Sequence, residues 1–360
     1  VSDRWILVGP MAQPNMLAAF GLTGQATEVA GTLIGGQMAG IEATDWPALI
    51  EGGVTPAVTV QPNNALRRYV QVMGLQVVSA ASQMLVGVQD RAKSDQRWNR
   101  DEWLGDLAAE IASLIIEAPK EQAADLLAWR LPMLGVWAAS RLRGRASQPS
   151  GGDLVVPRTQ EDMRVIARHQ PFAGFFAVDR WDLSHRTFAG GFTPRIVREG
   201  FVSGDAVVLL PWDPVRDRVM VIEQFRLIPA LRHDPQPWLL EPIAGRVDAG
   251  ENVEDAARRE ALEEANLTID QLFPAVHHYP SPGTLAEYLY LFVGIADLPD
   301  GIAGVHGLAG ETEDIRGHVI TREKLLQMVA DGQIANGPLA MIALWLQVHK
   351  DRLAKELALT

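Results

Sequence analysis

Glu260, Glu263 and Glu264 lie close together in the stretch Gly245 to Leu267, which reads G-R-V-D-A-G-E-N-V-E-D-A-A-R-R-E-A-L-E-E-A-N-L. Glu260 and Glu264 are four residues apart and project from one face of a helix, and Glu263 borders Glu260. Carboxylates crowded in this way repel one another unless positive charge sits between them. Hard oxygen ligands of this kind suit Mg²⁺ or Mn²⁺, ions that retain waters and also accept phosphate oxygens. The plain alternative is a solvated charged helix with Glu/Arg pairs, the usual meaning of such a run. The fixed offsets among Gly245, Glu251, Arg259 and the glutamates favour the metal site.

The elements that must position these groups are legible in the same stretch. Asn252 is a good helix N-cap, with Asp255 three residues on to reach back in the manner of a capping box. From there to Ala265 the chain has no proline or glycine, so a helix is expected throughout. Asn266 follows, where the chain needs a left-handed residue that Asn tolerates next best after Gly.

The spacing resembles the Nudix box, G-x5-E-x7-R-E-U-x-E-E-x-G-U with U apolar. Every fixed position is matched except the last glycine, where Asn266 stands. That resemblance implies a loop-helix-loop that binds divalent metal and cleaves a nucleoside diphosphate joined to another group, with Glu251 and Arg259 holding the loop. Further segments occur in order: Gly174-Phe175-Phe176, Arg198-Glu199, Val221 to Arg226, Trp238 to Gly245, Ser281-Pro282-Gly283 with Glu287, and His306 to Ile315. From about Phe172 to the C-terminus the chain is similar to the ADP-ribose pyrophosphatases of the Nudix superfamily.

Carried over residue by residue, the resemblance implies that the Ala244 carbonyl and the carboxylates of Glu260, Glu263, Glu264 and Glu313 hold metal. Glu311 would accept the proton of the attacking water. Arg226, Arg246, Glu287 and the loop Ser281-Pro282-Gly283 would border substrate, and Phe175, Phe176, Arg198 and Glu199 would reach the adenine end across a homodimer interface. Two positions depart from the pattern: Ser203 replaces a substrate-binding arginine, and Arg246 replaces an apolar residue. Taken alone, Phe175 and Phe176 would read as core, Glu311, Glu313 and Asp314 as a solvated acidic loop, and Glu287 as a surface ion-pair partner.

Composition narrows the field. The chain has 360 residues, enough for two domains, with 48% hydrophobic and 21% charged residues, as in ordinary globular proteins. It has no cysteine, which excludes disulfides, thiolate metal sites and cysteine nucleophiles and fits a cytoplasmic address. The net charge of −12 argues against nucleic acid as the main partner. No signal peptide and no membrane span are expected. The eight histidines show no ligand spacing, and His277-His278 in a strand would point to opposite faces.

Two units are expected: residues 1–145, a linker at 146–158 rich in Gly, Ser and Pro, and 159–360. The first should hold strands at Trp5–Val8 and around Val54–Val60, then helices at Trp98–Glu117 and Gln122–Leu142. It resembles the gamma-glutamylcyclotransferase-like α+β barrel, but Val8-Gly9-Pro10-Met11 and Met73-Gly74 stand where that family has its binding loop and catalytic glutamate. A non-catalytic domain follows from those departures, and the order of units is similar to Nudix proteins linked to tellurite resistance. The second unit should hold extended segments at Val165–Val178, Arg186–Glu199, Ala206–Leu210, Arg218–Gln224, Phe273–Tyr279 and Tyr288–Ile295, and helices at Arg322–Asp331 and Pro338–Leu357. An α/β/α Nudix sandwich is the expected fold. The expected activity is Mg²⁺-dependent hydrolysis of ADP-ribose. The rivals are hydrolysis of another nucleoside diphosphosugar such as GDP-mannose or of a dinucleotide, a non-catalytic ADP-ribose sensor, and an active N-terminal cyclotransferase.

Overall fold

The computed structural model describes residues 4–80, 83–148, 151–307 and 314–358. By density of contacts the chain divides into two compact units, Val1–Val202 and Ser203–Thr360.

In the first unit, β1 (Trp5–Val8), α1 (Pro14–Ala19), β2 (Gln25–Ile34), β3 (Ala48–Val60), α2 (Asn64–Val72), β4 (Val77–Ala80) and β5 (Gln83–Val86) come first, followed by α3 (Gly105–Glu117), α4 (Ala124–Trp129) and α5 (Leu131–Ala146). The five strands form a sheet of order β2-β3-β1-β5-β4, with β1 and β5 parallel and the other pairs antiparallel. A barrel was expected, yet this sheet is open among the described residues, with β2 and β4 at its two edges. Closure needs matched tilt and stagger around the ring, and β4 and β5 are only four residues long.

The expected helix Gln122–Leu142 is two helices. Pro132 in the first turn of α5 lacks the N–H that would continue the ladder from α4, a position proline favours. The helix expected from Trp98 begins only at Gly105, after a short 3₁₀ turn at Arg100–Glu102. Beyond the α5 end, Gly151 and Gly152 adopt φ of 98° and 55°, a turn conformation open to glycine.

The unit then adds β6 (Met163–Ala173), β7 (Ala177–His185) and β8 (Ile196–Val202), an antiparallel ribbon in which β7 is central. The single segment expected at Val165–Val178 is therefore a hairpin, turned at Gly174-Phe175-Phe176, where Gly174 N–H donates to the Phe176 carbonyl at 2.8 Å.

The second unit contains β9 (Ala206–Asp213), β10 (Arg218–Phe225), α6 (Leu227–Leu231), β11 (Trp238–Glu241), β12 (Ile243–Arg246), α7 (Val253–Ala265), β13 (Leu272–Pro274), β14 (Leu285–Ala286), β15 (Leu289–Ile295), β16 (Val305–His306), β17 (Ile315–Thr321), α8 (Arg322–Ala330) and α9 (Gly337–Ala358). Strands β9 and β10 pair only beside their hairpin, at Asp213↔Arg218 and Trp212↔Val219. They then part, and the ribbon β11-Pro242-β12 fills the opening, β11 on β10 and β12 on β9. The order across the rest of the sheet is β13-β15-β9-β10-β17-β16.

Alternation along β9 sets the layers. Val207 and Leu209 face one cluster with Ala256, Ala257, Ala261 and Ala265 of α7. Val208, Leu210 and Trp212 face the other, with Leu325 of α8 and Leu339, Ile342, Leu346 and Leu353 of α9. A strand buried on both faces reads as a continuous apolar run, and each such side chain contributes about 1.5–3 kcal/mol by leaving water. The unit is thus an α/β/α sandwich whose small-residue helix face lets α7 lie close on the sheet.

Candidate active site

The ends of α7 take the form its sequence dictates. The Asn252 side chain accepts from Asp255 N–H at 2.8 Å. Asp255 reaches back to the Asn252 side-chain amide rather than to its backbone N–H. At the other end Asn266 is left-handed, φ 50° and ψ 39°, and Leu267 N–H reaches the Ala261 carbonyl at 3.0 Å. That six-residue closure is the Schellman arrangement, with buried Leu267 as its apolar contact.

Between these caps, Arg259 is the hub. Its Nε and Nη2 donate to the two carboxylate oxygens of Glu251, both at 3.0 Å, a bidentate pair. Nη1 donates to Glu260 at 2.7 Å and to Glu263 at 3.0 Å, and Nη2 also donates to the Arg246 carbonyl at 2.9 Å. Burial alone would lower its pKa, but hydrogen bonding to Glu251 and the charge of Glu260 hold it above the ordinary arginine value. Asp248, in the loop it embraces, is raised by burial. One guanidinium thus fixes the loop Val247 to Glu251 and two of the three helix glutamates, a role its planar fork serves better than an ammonium.

Glu260 and Glu264 meet β12 from below. Ala244 N–H donates to Glu264 at 3.0 Å, and Glu264 is 3% exposed. A Cβ on Gly245 would fall 1.9 Å from Glu260 Oε1, so only glycine leaves room for that carboxylate. Ala244 and Gly245 therefore lie against two carboxylates one helical turn apart. Among the described residues no three acidic or imidazole side chains converge on one point; Glu311 and Glu313 lie outside the described residues. The donor set that is described, two carboxylates beside a strand backbone and all oxygen in character, fits a hard divalent cation.

Other expected residues sit at varied places. In the second unit, Ser203 donates its hydroxyl to Glu287 at 3.1 Å. Burial raises the Glu287 pKa, opposed by the Ser203 hydroxyl and the charge of Arg246, while nearby Asp205 raises it further. Ser281, Pro282 and Gly283 form a turn in which Thr284 and Leu285 N–H donate to the Ser281 carbonyl at 3.0 and 2.9 Å. Arg226 pairs with Glu241, Nε at 2.8 Å and Nη2 at 2.7 Å. Phe175 and Phe176 lie in the first unit at the β6–β7 turn, rings edge-on with centroids 5.0 Å apart, and Phe176 also meets Phe201 at 4.8 Å. Phe175 is 50% exposed, which sets it apart from a core residue. Arg198 and Glu199 are exposed on β8, opposite Trp181 and Arg180. His277 accepts from Leu291 N–H at 3.1 Å, and burial lowers its pKa, as befits a structural imidazole.

Sequence reasoning passed over Glu241. Its carboxylate is 5% exposed and is held by Arg226, by Gln224 at 3.3 Å and by Asn336 at 3.2 Å. An acidic residue closing the apolar strand Trp238-Leu239-Leu240 before Pro242 was the available signal, since buried carboxylates are rare unless paired.

Residues 203–339 match the NUDIX domain model. The chain is 44% identical over 206 residues to the ADP-ribose pyrophosphatase of Escherichia coli strain K12, an alignment covering 57% of this chain and 98% of that protein. It is 39% identical over 194 residues to the ADP-ribose pyrophosphatase of Haemophilus influenzae, covering 53% and 88%. It is 30% identical over 159 residues to the GDP-mannose pyrophosphatase of Yersinia pestis, covering 44% and 79%. Identity at this level along nearly the whole of a relative, with the Nudix box folded as loop, capped helix and left-handed stop, shows that the chain belongs to the ADP-ribose pyrophosphatase branch of the Nudix hydrolases.

Proposed function

We propose that this hydrolase cleaves the diphosphate of ADP-ribose to AMP and ribose 5-phosphate, using Mg²⁺. The single observation that carries the reading is the 44% identity across 98% of an ADP-ribose pyrophosphatase. In this reading Glu260, Glu263, Glu264, Glu313 and the Ala244 carbonyl hold the metal. When bound, the metal neutralises diphosphate oxygens and makes a coordinated water more acidic. Arg259 keeps Glu260 and Glu263 oriented, and Gly245 leaves space for Glu260. Glu311 takes the proton of the attacking water, a task for which a carboxylate needs only hydrogen-bond reach and an already acidified water. Arg226 and Glu287 contact the substrate. Phe175 or Phe176 stacks on the adenine, with Arg198 and Glu199 beside it, in a homodimer.

The two departures from the family pattern compensate in charge. Ser203 bonds to Glu287 where an arginine is replaced, and the charge of Arg246 acts on the same carboxylate. A cation thus stays beside Glu287, which supports retention of the same substrate class. GDP-mannose is the second reading, favoured by the 30% identity to a GDP-mannose pyrophosphatase.

The test is hydrolysis of ADP-ribose, GDP-mannose, NADH and a diadenosine polyphosphate with Mg²⁺, beside Glu264→Gln. The amide oxygen of the substituted side chain can still accept from Ala244 N–H, so folding is expected to persist while turnover falls by roughly 10- to 100-fold or more. AMP release from ADP-ribose that is lost in the variant is the expected result. Turnover of GDP-mannose alone would keep the chemistry and replace the substrate. Tight ADP-ribose binding with no turnover would replace the enzyme by a sensor.

A further inference from the structure

Glu241 closes β11, in the run Glu241-Pro242-Ile243-Ala244 that leads to the candidate metal edge, and is 5% exposed. Its Oε2 accepts from Arg226 Nε at 2.8 Å, from Arg226 Nη2 at 2.7 Å and from Gln224 Nε2 at 3.3 Å. Its Oε1 accepts from Asn336 Nδ2 at 3.2 Å. Asn336 also accepts from Leu339 N–H at 2.9 Å, in the manner of a cap for α9. The Arg226 side chain is 42% exposed where that of Glu241 is 6% exposed. One edge of the guanidinium is therefore held from inside while the other is open: Nη1 makes no hydrogen bond among the described residues and is not enclosed by the protein.

A buried ion pair is a poor source of stability, because the loss of hydration offsets most of its attraction. Nor does Glu241 help a diphosphate by its charge, since a carboxylate beside the arginine opposes the approach of a second anion. What the carboxylate supplies is direction. A free arginine side chain has many rotamers, and ordering it at the moment of binding costs affinity. Tied through Nε and Nη2, the planar fork keeps one orientation before any ligand arrives, with Nη1 outward. The contact to Asn336 involves the other carboxylate oxygen and serves the packing of α9.

We propose that Glu241 is a positioning residue for hydrolysis, holding Arg226 so that Nη1 meets an oxygen of the substrate diphosphate; this rests on the assignment of Arg226 to the substrate. Steady-state rates of the full chain with ADP-ribose and GDP-mannose test it, on Arg226→Ala, Glu241→Gln, the double variant and Asn336→Ala. Glu241→Gln keeps the shape of the side chain and an oxygen acceptor, so the fold is expected to persist. Its KM should rise roughly tenfold as the charge-assisted hold is lost, although a negative charge has been removed. Its kcat should stay within about threefold of wild type. The double variant should match Arg226→Ala alone, because one residue acts through the other. Asn336→Ala should melt a few degrees lower through loss of the cap, with KM within about threefold of wild type. For Glu241→Gln, a KM unchanged or lowered, or a loss confined to kcat, overturns the inference. So do additive losses in the double variant, or a rise in KM for Asn336→Ala equal to that for Glu241→Gln. A wild-type chain that turns over neither nucleotide sugar overturns the proposed hydrolysis instead. Calorimetric affinities for ADP-ribose then take the place of KM, with the same pattern expected, and no binding by wild type overturns both.

Discussion

A Cβ on Gly245 meets the carboxylate of Glu260 at 1.9 Å from Oε1 and 2.0 Å from Cδ, and no backbone atom is among its nearest contacts. The yielding atom is the end of a flexible side chain, so Gly245→Ala should leave the thermal midpoint within a few degrees of wild type. The displaced Glu260 carboxylate, however, loses its place against β12 at Gly245. Activity should fall by roughly 10- to 100-fold, a split between melting curve and rate that a merely structural glycine would not give. Glu287 makes a second case. Burial lifts its folded-state pKa above the ordinary glutamate value of about 4.3. A carboxylate raised in this way stabilises the fold while protonated, fully below its unfolded pKa, and loses that contribution as pH rises through the folded value. Glu287→Gln should therefore melt higher than wild type at pH 7.5, the gap narrowing toward pH 4, while substrate affinity drops. A gap of the opposite pH dependence would show that Ser203 and Arg246 outweigh burial. The left-handed stop at Asn266 could be read from residue type and offset alone, whereas the space that Gly245 leaves for Glu260 could not. Glu241 and the partners of Glu287 could not, because their neighbours come from distant strands and only folding brings them into contact.

The β9–β10 hairpin illustrates the next scale, because it is where the sheet begins to open for β11 and β12. Asp213, 2% exposed, accepts from the N–H groups of Val215, Arg216 and Leu298 at 2.9, 3.0 and 3.1 Å and from the Arg216 guanidinium at 2.6 Å. Burial raises its pKa, but these bonds outweigh burial and hold it below the usual carboxylate value. Asp213→Ala strands those N–H groups, at about 1–3 kcal/mol for each one left buried and unmade, and a total loss near 2–4 kcal/mol is expected by urea unfolding. Because the depressed carboxylate stabilises only when ionised, the difference between variant and wild type should shrink as pH falls through its folded value. A loss under about 0.5 kcal/mol, typical of surface changes, would remove the hairpin from this role. Elements whose signals are local were legible: the N-cap and left-handed stop of α7, the apolar run of β9, the closing helices. Breaks were less so. The α4–α5 junction turns on Pro132 inside an otherwise helical run, and the β6–β7 turn carries two aromatics where turns more often carry polar residues.

For the whole molecule, the sequence similarity and the contact density cut the chain at different places. The contacts divide it after Val202, and composition marks a linker at 146–158. The alignment to the Escherichia coli relative runs over 206 residues, longer than the unit Ser203–Thr360, so it takes in residues of the first unit as well. The aligned length thus reaches into the ribbon β6–β8, although α3 and the turn before α4 hold that ribbon through Arg168–Glu117 at 3.0 Å and Gln122–Gln170 at 3.1 Å. Such additions are expected when a domain is fused to an existing fold: new contacts form on an old surface without moving the old chemistry. We expect a chain of residues 153–360 to hydrolyse ADP-ribose within about tenfold of full length. Its melting point should be lower, since the lost helices leave part of the ribbon exposed. A chain of residues 203–360 should lose hydrolysis, because Phe175, Phe176, Arg198 and Glu199 go with the ribbon. Rates and circular dichroism on both pieces separate loss of chemistry from loss of fold. Full activity in the shorter piece would assign the adenine end to other residues, while inactivity of a folded 153–360 piece would make the first 152 residues part of the hydrolytic machinery.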